Sequence, residues 1–74
     1  MNWDQVAGNW KQVRGKIREQ WGDLTDSDLD TVAGRRDQLV GVLQERYGWA
    51  KEEAGRRADM FIESLRDRSK AVGR

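Results

Sequence analysis

Residues 8–22 read Gly8-Asn9-Trp10-Lys11-Gln12-Val13-Arg14-Gly15-Lys16-Ile17-Arg18-Glu19-Gln20-Trp21-Gly22. Residues 34–48 read Gly34-Arg35-Arg36-Asp37-Gln38-Leu39-Val40-Gly41-Val42-Leu43-Gln44-Glu45-Arg46-Tyr47-Gly48. Laid one on the other, the two stretches share Gly8/Gly34, Gln12/Gln38, Gly15/Gly41, Glu19/Glu45 and Gly22/Gly48. Val13/Leu39, Ile17/Leu43 and Trp21/Tyr47 keep their apolar character. The unit is a helix with an aromatic residue just before a terminal glycine. Its double occurrence points to two helical hairpins packed on each other.

Working outward, Trp3, Val6, Trp10, Val13, Ile17 and Trp21 recur at three- and four-residue steps and form one helical stripe. Asn2 is placed as the N-cap of this first helix, with Gln5 as its capping-box partner. Gly22 stands where a C-terminal glycine ends a helix. Leu24-Thr25-Asp26-Ser27-Asp28-Leu29 is the strongest start signal in the chain. Thr25 caps, Asp28 completes the box, and Leu24 and Leu29 form a hydrophobic staple. A short helix over residues 26–33 follows, with Leu29, Val32 and Ala33 inward and Gly34 as its stop or kink. A third helix over residues 35–47 carries Leu39, Val40, Val42, Leu43 and Tyr47 on more than one stripe, so it is expected to be the most buried. Gly48 ends it. A fourth helix begins near Trp49 or Ala50 and turns Ala54, Ala58, Phe61, Ile62 and Leu65 inward. The tail, residues 66–74, is expected to fray. The expectation is an all-α, compact bundle of about four helices arranged as two crossed hairpins, with residues 1–65 as the domain.

Composition narrows the function. The chain has 74 residues, no Cys and no His. That removes disulfides, thiolate ligands, the commonest metal ligand and the usual proton shuttle near neutral pH. None of Ser27, Ser64 and Ser69 has an imidazole to activate it. A chain this short does not wall off a deep pocket, and an enzyme is not expected. Charged residues make up 36% of the chain but nearly cancel, leaving +1. A strong binder of nucleic acid or anionic lipid shows a clear basic excess. No apolar run approaches a membrane span, and the start of the chain has no secretory pattern, so a cytoplasmic protein is expected.

These motifs resemble the CsbD-like family of small bacterial stress-response proteins. The residues that carry the resemblance are Gly8-Asn9-Trp10-Lys11-Gln12, Gly15-Lys16-Ile17, the run from Glu19 through Gly22 to Asp26, Asp37 to Gly41, and Gln44-Glu45-Arg46-Tyr47-Gly48. It spans residues 1–65 and leaves the tail outside. The resemblance implies a compact four-helix arrangement of crossed hairpins and expression under general or osmotic stress. It implies no catalytic residue and no cofactor.

Several surfaces carry two readings. Trp10, Trp21 and Tyr47 suit the core by their helical phase, against a stacking platform for bases. Trp3 and Trp49 sit at helix ends, where either reading holds. Gly8, Gly15 and Gly22 project within about 40° of one another, opposite the apolar stripe. That glycine face is either a close approach for a neighbouring helix or second molecule, or a face without contact. Gly48-Trp49-Ala50-Lys51-Glu52-Glu53-Ala54 looks like a helix-hairpin-helix turn offering backbone N–H groups to a phosphate. Ala50 replaces its second glycine and two glutamates follow, so a structural hairpin is the better reading. Lys11, Arg14 and Arg18 form a basic ridge, and Arg35-Arg36 adds a second cluster. The bland reading is a solvated face; the sharp one is weak, salt-sensitive nucleic-acid binding through Lys11, Arg14, Arg18, Arg35, Arg36, Gly48 and Lys51. Asp26, Asp28 and Asp30 have the spacing of a calcium loop without its downstream glycine and glutamate, so helix capping is the better reading and no metal site is expected. The favoured function is a non-catalytic stress-response protein acting through protein surfaces, with a protein partner or weak self-association. A nucleic-acid-binding module is the alternative.

Overall fold

The computed structural model describes residues 2–72, with side chains as far as Leu65. Five helices follow one another: α1 (Trp3–Gly8), α2 (Trp10–Gln20), α3 (Asp26–Val32), α4 (Arg36–Tyr47) and α5 (Lys51–Val72). No strand occurs among the described residues. The Cα radius of gyration is 11.8 Å, close to the ~11 Å of a compact chain of this length.

The local start signals act as their chemistry dictates. Asn2 Oδ1 accepts from the Gln5 N–H at 2.8 Å, and the Asn2 N–H donates to Gln5 Oε1 at 2.9 Å. The Asp28 N–H donates to Thr25 Oγ1 at 3.1 Å, and the Thr25 N–H donates to Asp28 Oδ2 at 3.0 Å. Each box satisfies two backbone donors that the first turn leaves without a helical partner. Leu24 and Leu29 are both buried beside the second box.

The expected first helix is two. Asn9, at φ −114° and ψ 27°, separates α1 from α2. Its side-chain amide donates to the Gln5 carbonyl at 3.1 Å, in competition with the backbone ladder. The ladder is bent rather than cut: the Asn9 N–H still reaches the Gln5 carbonyl and the Val13 N–H the Asn9 carbonyl, both at 3.0 Å. Val6, Val13, Ile17 and Trp21 therefore stay on one buried stripe across the bend.

The glycines divide by role. Gly48 (φ 72°) is the left-handed C-cap expected of it, and its N–H donates to the Gln44 carbonyl at 2.9 Å. Gly22 is not one. α2 stops at Gln20, and Trp21 (φ −126°, ψ 86°) is the C-cap. Trp21 leaves the helix to bury its indole against Phe61, with ring centroids 5.0 Å apart. Gly34 (φ 84°) stops α3 for a reason of packing: a Cβ there would lie 2.6 Å from Ala7 Cα. Ala33, expected inward, is exposed and left-handed at φ 46°.

α4 is the hub of the core. Leu39, Val40, Val42 and Leu43 are all buried, and α4 packs against both α3 and α5. From α5, Ala54, Ala58, Phe61, Ile62 and Leu65 are buried, as their spacing predicts. Trp10 and Tyr47 are corrected in degree: like Trp3 and Trp49, they are half-buried at the edge of the core. The backbone of α5 is helical to Val72, through most of the tail expected to fray, and residues 73–74 lie outside the described residues.

Candidate interaction surface

The basic ridge of α2 meets the acidic face of α3. Arg14 Nη1 lies 3.1 Å from Asp30 Oδ1, and its Nη2 lies 4.0 Å from Asp26 Oδ1. Arg18 pairs with the same Asp26 oxygen. From the other side, Arg46 of α4 grips Asp28 with Nε at 2.8 Å and Nη2 at 2.9 Å. The Arg46 hydrogen bonds come first in holding the Asp28 carboxyl at about 2, with the Thr25 N–H next. The carboxylates that resemble a calcium loop thus have guanidinium partners, and Asp28 caps α3 as well.

Arg36 follows the same pattern. Its Nε and Nη2 donate to the two oxygens of Asp59 on α5 at 2.8 and 2.9 Å. The Trp3 indole N–H also donates to Asp59 Oδ1, at 3.4 Å. The Arg36 hydrogen bonds lower the Asp59 pKa against the opposing effect of burial, and the indole adds to the lowering. Of the seven candidate nucleic-acid positions, Arg14, Arg18 and Arg36 are therefore tied to aspartates of this chain. Lys11, Arg35 and Lys51 are exposed and enter none of these pairs. Gly48 is the helix cap already described. The structure gathers Gly48 and Lys51 at the α4–α5 turn, while Lys11 sits on α2.

That turn carries an aromatic cluster. Tyr47 and Trp49 stack with centroids 4.6 Å apart and planes 12° from parallel. The Arg57 guanidinium lies 4.3 Å from the centre of a Trp49 ring. Arg57 and Arg56 both hold Glu53, Arg57 at 2.6 Å, and these hydrogen bonds lower the Glu53 pKa. Trp49 and Tyr47 are thus occupied by each other and by a cation, which is how a half-buried indole is fixed. The four-residue spacing Trp49, Glu53, Arg57 was a legible signal for this cluster. Nothing local announces Asp59 or the Arg46–Asp28 pair.

Two open grooves along α5 have eight-residue linings. One, of about 440 Å³, is lined by Gln20, Trp21, Glu53, Arg56, Arg57, Met60, Phe61 and Ser64. Met60 stands at 64% exposure beside the Trp21–Phe61 contact. The other, of about 510 Å³, runs between α4 and α5 over Val40, Gly41 and Gly55, with Arg36, Asp37, Gln44, Lys51 and Glu52 around it. On the glycine face, a Cβ added at Gly8, Gly15 or Gly22 would meet nothing within 4 Å. Among the described residues no close helix approach uses those positions. Among the described residues no helix is long and apolar enough to cross a membrane.

The family model described as CsbD-like matches residues 4–56. UPF0337 protein YjbJ of Escherichia coli O6:H1 is 56% identical over 61 residues, 82% of this chain and 88% of its own. A UPF0337 protein of Pectobacterium atrosepticum is 65% identical over 54 residues, 73% of this chain and 78% of its own. A UPF0337 protein of Pseudomonas aeruginosa is 54% identical over 65 residues, 88% of this chain and 100% of its own. On a match that covers most of its length, with both glycine units inside it, this chain belongs to the CsbD-like family.

Proposed function

We propose that the chain is a non-catalytic stress-response protein of the cytoplasm that acts through a protein-binding surface, with residues 1–65 forming two crossed hairpins as its working domain. The observation that carries this reading is the internal use of its arginines. Arg14, Arg18, Arg36 and Arg46 each hold an aspartate on a neighbouring helix, so the ridge that suggested phosphate binding serves the fold. The exposed apolar feature is the groove at Trp21, Met60 and Phe61, a concave surface with an apolar floor and a charged rim, as protein-binding sites have.

A photo-crosslinker placed at Met60, and a second placed at Lys16 for comparison, tests the reading in stressed cells. A discrete protein adduct from the Met60 position alone, lost in a Phe61→Ser background that remains helical, supports it. Equal adducts from both positions, or none, refute it.

The second reading keeps Lys11, Arg35, Gly48 and Lys51 as contacts to nucleic acid, favoured by their exposure and by the helix turn at Gly48. It requires binding that weakens steeply with salt.

A further inference from the structure

The carboxylates of α3 are held from other helices, Asp26 and Asp30 by α2 and Asp28 by α4. Asp26 is held by Arg18 and approached by Arg14, Asp30 by Arg14, and Asp28 by Arg46. Glu53 of α5 pairs with Arg56 and Arg57 of its own helix, pairs that survive any movement of that helix as a unit, while Asp59 of α5 is held across helices by Arg36 of α4. α3 has seven residues, well below the ~12–15 at which an isolated helix begins to persist in water. Only Leu29 and Val32 of α3 are buried. α4 and α5, the most extensively packed pair of helices, are joined by buried apolar side chains from both.

Ala33 (φ 46°) and Gly34 (φ 84°) are consecutive left-handed residues, and the first is not a glycine, so its strain is relieved when α3 lets go. Gly34 itself is pinned against Ala7 Cα. A release of α3 would therefore open the chain on the α3 side of Gly34, with α1 and α4 held together there. Asp26 and Asp30 are each 70% exposed, within reach of mobile ions, while Asp28 is more enclosed.

We infer that α3 is an electrostatic latch: a short segment closed over the α4 face by the Arg14, Arg18 and Arg46 pairs and released by rising ionic strength, while the α4–α5 pair stays closed. Release turns Leu29 and Val32 outward and uncovers the side of α4 that α3 covers. Screening has this selectivity because exposed pairs weaken as the Debye length shrinks, from about 30 Å at 0.01 M to about 3 Å at 1 M, whereas apolar contacts do not. The inference concerns the fold's own response and stands whether or not the groove at Met60 binds a protein.

Residue-resolved amide hydrogen exchange on the wild-type chain, at about 10 mM and about 1 M NaCl and one pH, tests it. Protection at Leu29, Asp30 and Val32 is expected to fall about tenfold in high salt, the combined effect of the two exposed pairs at Asp26 and Asp30, each worth a few-fold. Protection at Ala58, Phe61 and Ile62 is expected to change by less than about twofold. Parallel changes in α3 and α5, or an α3 indifferent to salt, overturn the latch. The exposed variant Asp26→Asn is expected to raise α3 exchange at low salt and to shrink its salt response; an unchanged salt response overturns it too.

Discussion

Arg36 crosses directly over Gly55 to reach Asp59: its Nη2 lies 2.8 Å from where a Cβ on Gly55 would stand, and 2.9 Å from Asp59 Oδ2. The glycine lets a guanidinium from the first turn of α4 lie flat on α5 and close two hydrogen bonds on one carboxylate. The same carboxylate takes the Trp3 indole, so three helices meet at Asp59.

Gly55→Ala sets two effects against each other. Alanine is worth about 1 kcal/mol over glycine in a helix interior. The new methyl pushes the flexible end of Arg36, and an exposed pair is worth about 0.2–1 kcal/mol. The helix term wins, so G55A is expected to stabilise slightly, by less than 1 kcal/mol. In an Arg36→Ala background the full ~1 kcal/mol is expected. Urea midpoints of the four chains of this cycle measure the difference, and equal gains in both backgrounds would show that the arginine is not held across the glycine.

Gly34→Ala and Gly15→Ala are expected to differ in sign. At Gly34 the backbone is left-handed and the methyl would strike Ala7 Cα at 2.6 Å, so a loss of more than about 2 kcal/mol follows. At Gly15 the methyl meets open space inside α2, and a gain of roughly 0.5–1 kcal/mol follows. Thermal or urea unfolding monitored at 222 nm compares them.

Leu43→Ala removes a side chain with no exposed surface at the centre of the hub helix. Buried leucine truncations cost about 2–5 kcal/mol, against a total of roughly 4–11 kcal/mol for a chain this size. The variant is expected to lose most of its cooperative unfolding transition by circular dichroism.

Acid should weaken the fold in a defined window. Asp28 sits at about 2, below its ordinary 3.8, because the charged form is bound by Arg46 and Thr25. Asp59 and Glu53 are lowered in the same direction by their arginines. A depressed carboxylate stabilises the fold fully above its unfolded value and loses that stabilisation as pH falls toward its folded value. Urea midpoints are therefore expected to be level from neutral pH down to about 5 and to fall between about 4 and 2. Asp28→Asn should start lower and fall less steeply; an unaltered profile would remove Asp28 from the account.

What could be read from the sequence was local. The boxes Asn2/Gln5 and Thr25/Asp28 lie three residues apart, and the Gly48 cap follows directly on its helix, so spacing alone reveals them. The bend at Asn9 depends on one side-chain amide choosing a backbone carbonyl, and no periodicity records that choice. Gly22 has the position of a cap, but the burial of Trp21 against Phe61 from α5 takes the chain out of the helix first. Gly34 was legible as a stop, while its reason, the backbone of Ala7, lies far away in sequence. The same distance hid the arginine pairs. Arg14 and Arg18 of the basic ridge and Arg36 of the second cluster have partners, Asp30, Asp26 and Asp59, that lie on other helices.

The most direct measurement is a fluorescence titration of labelled duplex and single-stranded DNA with the wild-type chain at about 20 mM and about 150 mM salt. Arginines held by aspartates of the same chain predict no saturable binding at either salt at protein concentrations up to about 100 µM, the weak end of the range for non-specific binders. Saturable binding at low salt, weakening steeply at the higher salt, would contradict the account.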